Sequence, residues 1–158
     1  MNCIKKLTII GVIVLSICIV WWLFAHQANA PTEVPEVDPY AEAREVLAKK
    51  DDVIRITNLV PGGTISSPFI LEGEARGTWF FEASFPIEIQ TESGTLIGTV
   101  IATAEEEWMT ADFVAFSASI VVPFHAQVAG PLNLVLRKDN PSGLPENDDS
   151  IVIPVILQ

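Results

Sequence analysis

From Trp79 to Ile89 apolar side chains recur at every second position: Trp79, Phe81, Ala83, Phe85, Ile87 and Ile89 share one parity, while Glu82, Ser84 and Glu88 take the other. That period belongs to a half-buried β-strand, whose successive side chains leave opposite faces of the pleat. Pro86 falls on the outward parity and cannot donate to a ladder, which predicts a sheet edge or a bulge there. The same parity rule finds inward sets at Val114, Phe116, Ala118, Ile120 and Val122, at Leu132, Leu134 and Leu136, and at Ile151, Ile153, Val155 and Leu157. Shorter strand signals run from Val53 to Leu59, Phe69 to Ala75 and Gly94 to Ala104, with turn chemistry at Pro61-Gly62-Gly63 and Ser66-Ser67-Pro68 between the first two. No amphipathic helix competes after residue 53. The expectation is an all-β domain over 53–158, an immunoglobulin-like antiparallel β-sandwich of about seven strands, with a barrel of similar strand count as the alternative. A hundred-odd residues bury enough core to fold without disulfides.

Ahead of this domain the chain changes character twice. Residues 1–6 carry Lys5 and Lys6, and Leu7 to Ala25 follow without a charge. At about 1.5 Å per residue such a run is about 30 Å long, the hydrocarbon thickness of a bilayer, and Trp21-Trp22 suit its far interface. Basic residues precede the run and none follows until Arg44, which predicts one transmembrane helix over 7–25 with a cytoplasmic N-terminus and an extracytoplasmic C-terminal domain. The alternative is secretion after cleavage following Ala30, since Ala28-Asn29-Ala30 has the small-x-small pattern of a signal-peptide site. Pro31 fits poorly just beyond such a cut, and the run exceeds an ordinary signal core.

Residues 26–52 form a Pro/Glu/Ala linker. Pro31 and Pro35 keep its start extended. Asp38-Pro39 then reads as an N-cap with proline at the first helical position, ahead of a short helix from Tyr40 to Lys50 bearing a Glu45–Lys49 pair. A helix of this length is marginal by itself, so the expected role is a stalk.

Composition removes several functions. The chain has 9 basic and 20 acidic side chains, and beyond Lys6 seven bases face all twenty acids. Such a surface repels phosphate backbones, so no nucleic acid is expected as a partner. Both cysteines, Cys3 and Cys18, precede the folded part, which leaves it no disulfide, thiolate zinc site or cysteine nucleophile. His125 stands alone after Pro123-Phe124 and builds no nucleophilic triad by spacing.

Several strings then occur in a familiar order: Ile65-Ser66-Ser67-Pro68, Gly73-Glu74-Ala75-Arg76-Gly77, Trp79-Phe80-Phe81-Glu82-Ala83, Glu107-Trp108-Met109-Thr110, Asn140-Pro141-Ser142-Gly143 and Ile153-Pro154-Val155. Together they resemble the immunoglobulin-like domain of bacterial spore germination, across about residues 53–158. The resemblance implies an extracytoplasmic bacterial β-sandwich of the cell envelope, and it brings no catalytic residues with it.

Candidate contacts come from the residues. Arg76, bounded by Gly73 and Gly77, offers an anion or glycan-carboxylate contact; the plainer reading pairs it with Glu74 or Glu82 in solvent. Trp108, after Glu105-Glu106-Glu107, is a candidate stacking surface, or a loop aromatic that packs the end of the sandwich. Trp79 has the inward parity and belongs to the core. Asp112 with the three glutamates raises glycoside chemistry, which requires two carboxyls across a cleft, and adjacent glutamates do not supply that. The oxygen-rich stretch 139–149 invites calcium, but Pro141 breaks the helix–loop–helix pattern, and a polar turn explains it equally. The sequence therefore predicts no catalytic, cofactor or metal residues, and offers Arg76, Trp108 and Asp112 as candidate ligand contacts. The expected function is binding or assembly at the bacterial envelope by a membrane-anchored domain that is not an enzyme, its partner an envelope protein or cell-wall glycan. Alternatives are a glycan-acting enzyme or its accessory domain, and a structural spacer.

Overall fold

The computed structural model describes residues 17–23, 37–123 and 129–158. Residues 17–23 are helical. Among the described residues no helix is long and apolar enough to cross a membrane. The remainder of the predicted span 7–25, the Ala28–Ala30 cleavage pattern and His125 lie outside the described residues. A compact unit begins at Asp38 and runs to Gln158.

That unit is mostly β. One helix, α1 (Ala41–Lys49), precedes β1 (Ile54–Ile56), β2 (Gly63–Ile65), β3 (Phe69–Arg76), β4 (Ser84–Thr91), β5 (Leu96–Ala104), β6 (Phe113–Ile120), β7 (Gly130–Arg137) and β8 (Ser150–Leu157). The strands form one sheet in the order β1-β3-β6-β5-β4-β7-β8-β2. It curls over its own core, with β1, β3 and β6 on one wall and β4, β7, β8 and β2 on the other. β5 joins the walls: it pairs with β4 from Leu96 to Thr103, but with β6 only at Thr103 and Ala104.

Two expectations need correction. The described residues form eight strands rather than about seven, and the sheet is mixed rather than antiparallel throughout. The added strand is β2, three residues beginning at a glycine, too short to show a period. It leaves the wall where β1 pairs antiparallel with β3 and joins the other wall parallel to β8, Gly63 opposite Val155 and Ile65 opposite Leu157. The immunoglobulin-like arrangement fits this topology, in which the first part of the chain divides between both walls.

The inward parities are filled as the alternation requires. Phe85, Ile87 and Ile89 of β4 face Val114, Phe116, Ala118 and Ile120 of β6, with Leu132, Leu134 and Leu136 of β7 and Ile151, Ile153 and Val155 of β8, all buried. No polar or charged side chain is buried among the described residues. The Phe85 ring meets Phe116 edge-on at 4.9 Å, Phe80 at 5.4 Å and Trp79 at 6.4 Å, so this one side chain ties both walls to the turn before β4. Truncating such a buried ring costs about 3–5 kcal/mol.

The alternation fails at its start. β4 begins at Ser84, and Gly77–Trp79 form a short 3-10 turn. Glu82 and Ala83 both have positive φ, 49° and 61°, in a two-residue turn closed by reciprocal bonds between Phe81 and Ser84. This turn reverses the chain, so Phe80 is buried and Phe81 is 39% exposed, opposite to the parity expectation. Pro86 is tolerated without an edge because the β4–β7 ladder starts only at Ile87; the bulge lies between Ile89 and Gln90.

The segment expected as a stalk docks on the domain. Asp38 does not cap α1 directly, because Pro39-Tyr40 make a turn first; its carboxylate accepts the Tyr40 N–H at 3.0 Å and pairs with Arg44. Arg44 also donates to Pro61 O at 3.0 Å, Lys50 pairs with Asp149, and Leu47 packs against the core. The Tyr40 ring lies where a side chain on Gly62 would stand, and Gly62 has φ +84°, which glycine adopts without penalty.

Candidate binding surface

One end of the sandwich gathers all three predicted contact residues. β3 ends at Arg76, the 3-10 turn carries Gly77 to Trp79, and the loop from Glu105 to Asp112 folds back over that turn. Gly77 is the hinge of this contact. It is buried, its N–H donates to Asp112 O at 3.2 Å, and a methyl built on it would overlap Thr110 O and Trp108 O. The loop backbone can lie this close only because residue 77 has no side chain.

Arg76 does not pair with Glu74 or Glu82. Its Nε donates to Asp52 O at 3.0 Å and its Nη1 to Ala111 O at 3.2 Å, while its guanidinium lies 4.0 Å from the centroid of the Phe113 ring. Arg55 approaches the same ring at 4.0 Å. Arg76 thus fastens the loop and the chain before β1 to the outer face of β3, and stacking on an aromatic face suits a guanidinium better than a bare ion pair in solvent.

Trp108 is half-buried and packs against the core, so its ring is shared between the interior and the surface. Beside it, Gly77, Phe80, Trp108, Met109 and Ala111 line an apolar recess of about 420 Å³. Met109 is 73% exposed at its mouth. Asp112 is exposed; its N–H donates to Thr110 Oγ1 at 3.1 Å and its carbonyl takes the Gly77 N–H. Glu107 accepts the Met109 N–H at 3.0 Å and so shapes the loop, while Glu105 and Glu106 face solvent. The Glu82 turn adjoins them, since Ala83 O accepts the Ala104 N–H at 2.8 Å.

Trp79 is core, as its parity predicts, although it sits on a turn; its indole Nε1 is buried without a hydrogen-bond partner among the described residues. The stretch 139–149 is an internally bonded turn. Asn140 donates to Leu144 O at 2.8 Å and to Asp148 Oδ1 at 2.7 Å, and Asn147 donates to Ser142 Oγ at 3.0 Å. Several of its oxygens are thereby engaged, and among the described residues no group of three His, Cys, Asp or Glu could hold a metal ion.

Sequence reasoning gave Gly77, Phe80 and Met109 no role of their own in the site. Met109 had a usable signal, a methionine beside a tryptophan in an acidic loop. Phe80 had none, because the turn that moves it inward uses Glu82 and Ala83 where Asn or Gly would have announced positive φ.

On the opposite wall, Glu88 of β4 receives a two-pronged contact from Arg137 of β7, Nε at 2.6 Å and Nη2 at 3.0 Å, and a bond from Gln90 at 2.6 Å. The Arg137 hydrogen bonds hold its carboxyl below the usual value, outweighing the opposing effect of partial burial.

A curled sheet with its first segment shared between both walls and its loops gathered at the ends defines an immunoglobulin-like β-domain. Residues 53–143 match the immunoglobulin-like domain of bacterial spore germination, and the chain belongs to that family. Comparison with curated proteins and with solved structures gave no match. β8 lies beyond the matched span, yet it pairs with β7 from Ser150 to Leu157 and completes the core.

Proposed function

We propose that the chain is a tethered envelope module that works by binding or assembly, with Leu7–Ala25 as its membrane anchor and the domain outside the cytoplasm. The apolar recess under Trp108 and Met109 carries this reading: a large flexible apolar side chain held 73% exposed on a hydrogen-bonded loop is what a contact surface requires. Loops presented by a rigid sandwich are where such folds meet their partners. The family's link to bacterial spore germination agrees with a bacterial setting for the module. A photo-reactive phenylalanine placed at position 109 of the full chain in a bacterium tests it, with Thr99 on β5 as the control position. Discrete adducts from 109 and none from 99 are expected, with the chain in the membrane fraction. Uncleaved chain in the soluble fraction removes the anchor, and a clean domain without adducts leaves a spacer.

A further inference from the structure

The geometry points to a basic protein segment as the occupant of this recess, an inference that rests on the domain being a binding module and names the chemistry it binds. The recess is apolar inside, with Phe80 and Trp108 in its lining and Met109 at its mouth. Its surroundings are acidic: Glu105, Glu106, Glu107 and Asp112 belong to the loop that forms it, and Glu82 stands on the adjoining turn. Among the described residues none of these five carboxylates has an ion pair, so their charge is not neutralised by a neighbouring cation. The nearby cations are both turned onto Phe113: Arg76 donates from Nε and Nη1 to backbone carbonyls, and Arg55 pairs with Asp51.

Unpaired like charges around an apolar recess repel one another and focus a negative potential on it. Arginine and lysine match both parts, an apolar stem for the recess and a cationic end for the carboxylates. The Trp108 ring and the Met109 thioether add soft, polarizable contacts for such a stem and its charge. A neutral glycan would use the tryptophan but leave the carboxylates unanswered, and an anionic polymer would be repelled.

The two methionines, Met1 and Met109, make the test direct. The full chain, labelled with 13C at the methionine methyls and held in dodecyl maltoside, is titrated with a blocked (Arg-Gly)3 peptide, with its (Glu-Gly)3 counterpart and with chitotetraose. The Met109 methyl is expected to move saturably with the arginine peptide alone, and the affinity to fall at least about tenfold as salt rises from about 50 to about 500 mM. Glu105→Gln and Glu106→Gln combined should weaken binding about fivefold while the free Met109 signal keeps its position, because both side chains are exposed and neither holds the loop, whereas Glu107 is left intact because it accepts the Met109 N–H. A Met109 shift insensitive to salt and to these substitutions, or one produced by chitotetraose instead, overturns the proposal. If Met109 stays still while the adducts at position 109 persist in cells, the partner chemistry is wrong and the binding reading stands; if both are missing, both fail.

Discussion

Three glycines of this domain separate steric crowding from backbone strain. Gly77→Ala places a methyl against Thr110 O and Trp108 O, two backbone atoms that no side-chain rotation can move aside. The loop must lift. Lifting it forfeits the Gly77–Asp112 bond at 3.2 Å and the Arg76–Ala111 bond at 3.2 Å, each worth about 1 kcal/mol. Residual overpacking adds about 1 kcal/mol or more. The total, about 3 kcal/mol, is a large share of the stability of a domain this size and lowers Tm by about 10 °C. Gly94→Ala meets no atom within 4 Å but sits at φ +86°, so it should cost about 1 kcal/mol through strain alone. Gly98→Ala has ordinary φ and only Pro123 at 3.4 Å, so its effect should stay within about 1 kcal/mol of zero. Thermal unfolding followed by near-ultraviolet circular dichroism, which reports the packing of Trp79 and Trp108, ranks the three. A Gly77→Ala chain as stable as Gly98→Ala would refute the close docking of loop 105–112 on the turn.

Glu88→Gln should cost about 0.5 kcal/mol near neutral pH, a small figure because Arg137 is nearly half exposed and screened. The native carboxyl titrates below its usual 4.5, so its stabilisation is present above the unfolded value and lost as pH falls through the native one; denaturant midpoints of the two chains should converge at low pH. Ala83→Gly relieves a non-glycine residue held at φ 61° and should raise Tm by a few degrees, against the entropy glycine adds to the unfolded chain. Arg44→Ala removes the links from α1 to Asp38 and Pro61 O, and should speed proteolytic cleavage within residues 41–49 without lowering the β-sheet signal.

The walls of the sandwich could be read from the sequence because burial on one face of a strand leaves a period of two. Leu132, Leu134 and Leu136, and Ile151, Ile153 and Val155, stand where that rule puts them. Closure could not be read. Gly63–Ile65 pair with residues ninety positions away, and β5 changes neighbours partway along; neither leaves a local pattern. α1 was visible as a helix, but its docking depends on Arg44, Lys50 and Tyr40 finding Pro61 O, Asp149 and Gly62, contacts that spacing does not encode. The candidate surface was legible through Trp108 and its acidic neighbours. The recess itself was not, because it is made by the missing side chain of Gly77 and by the turn that sends Phe80 inward.

The clasp between β2 and β8 also sets the order in which the molecule can be finished. A chain emerging from the ribosome presents Gly63–Ile65 first, and their partners Val155–Leu157 follow only about ninety residues later. Until then, β7 lacks β8 along its whole length and β2 has nothing to lie against. Contacts of such long range make folding slow and leave apolar strand edges open to wrong pairing meanwhile. Loss of residues 150–158 would therefore strand β2, open the core at Leu134 and Leu136, and turn a closed sandwich into an aggregation-prone half-sheet.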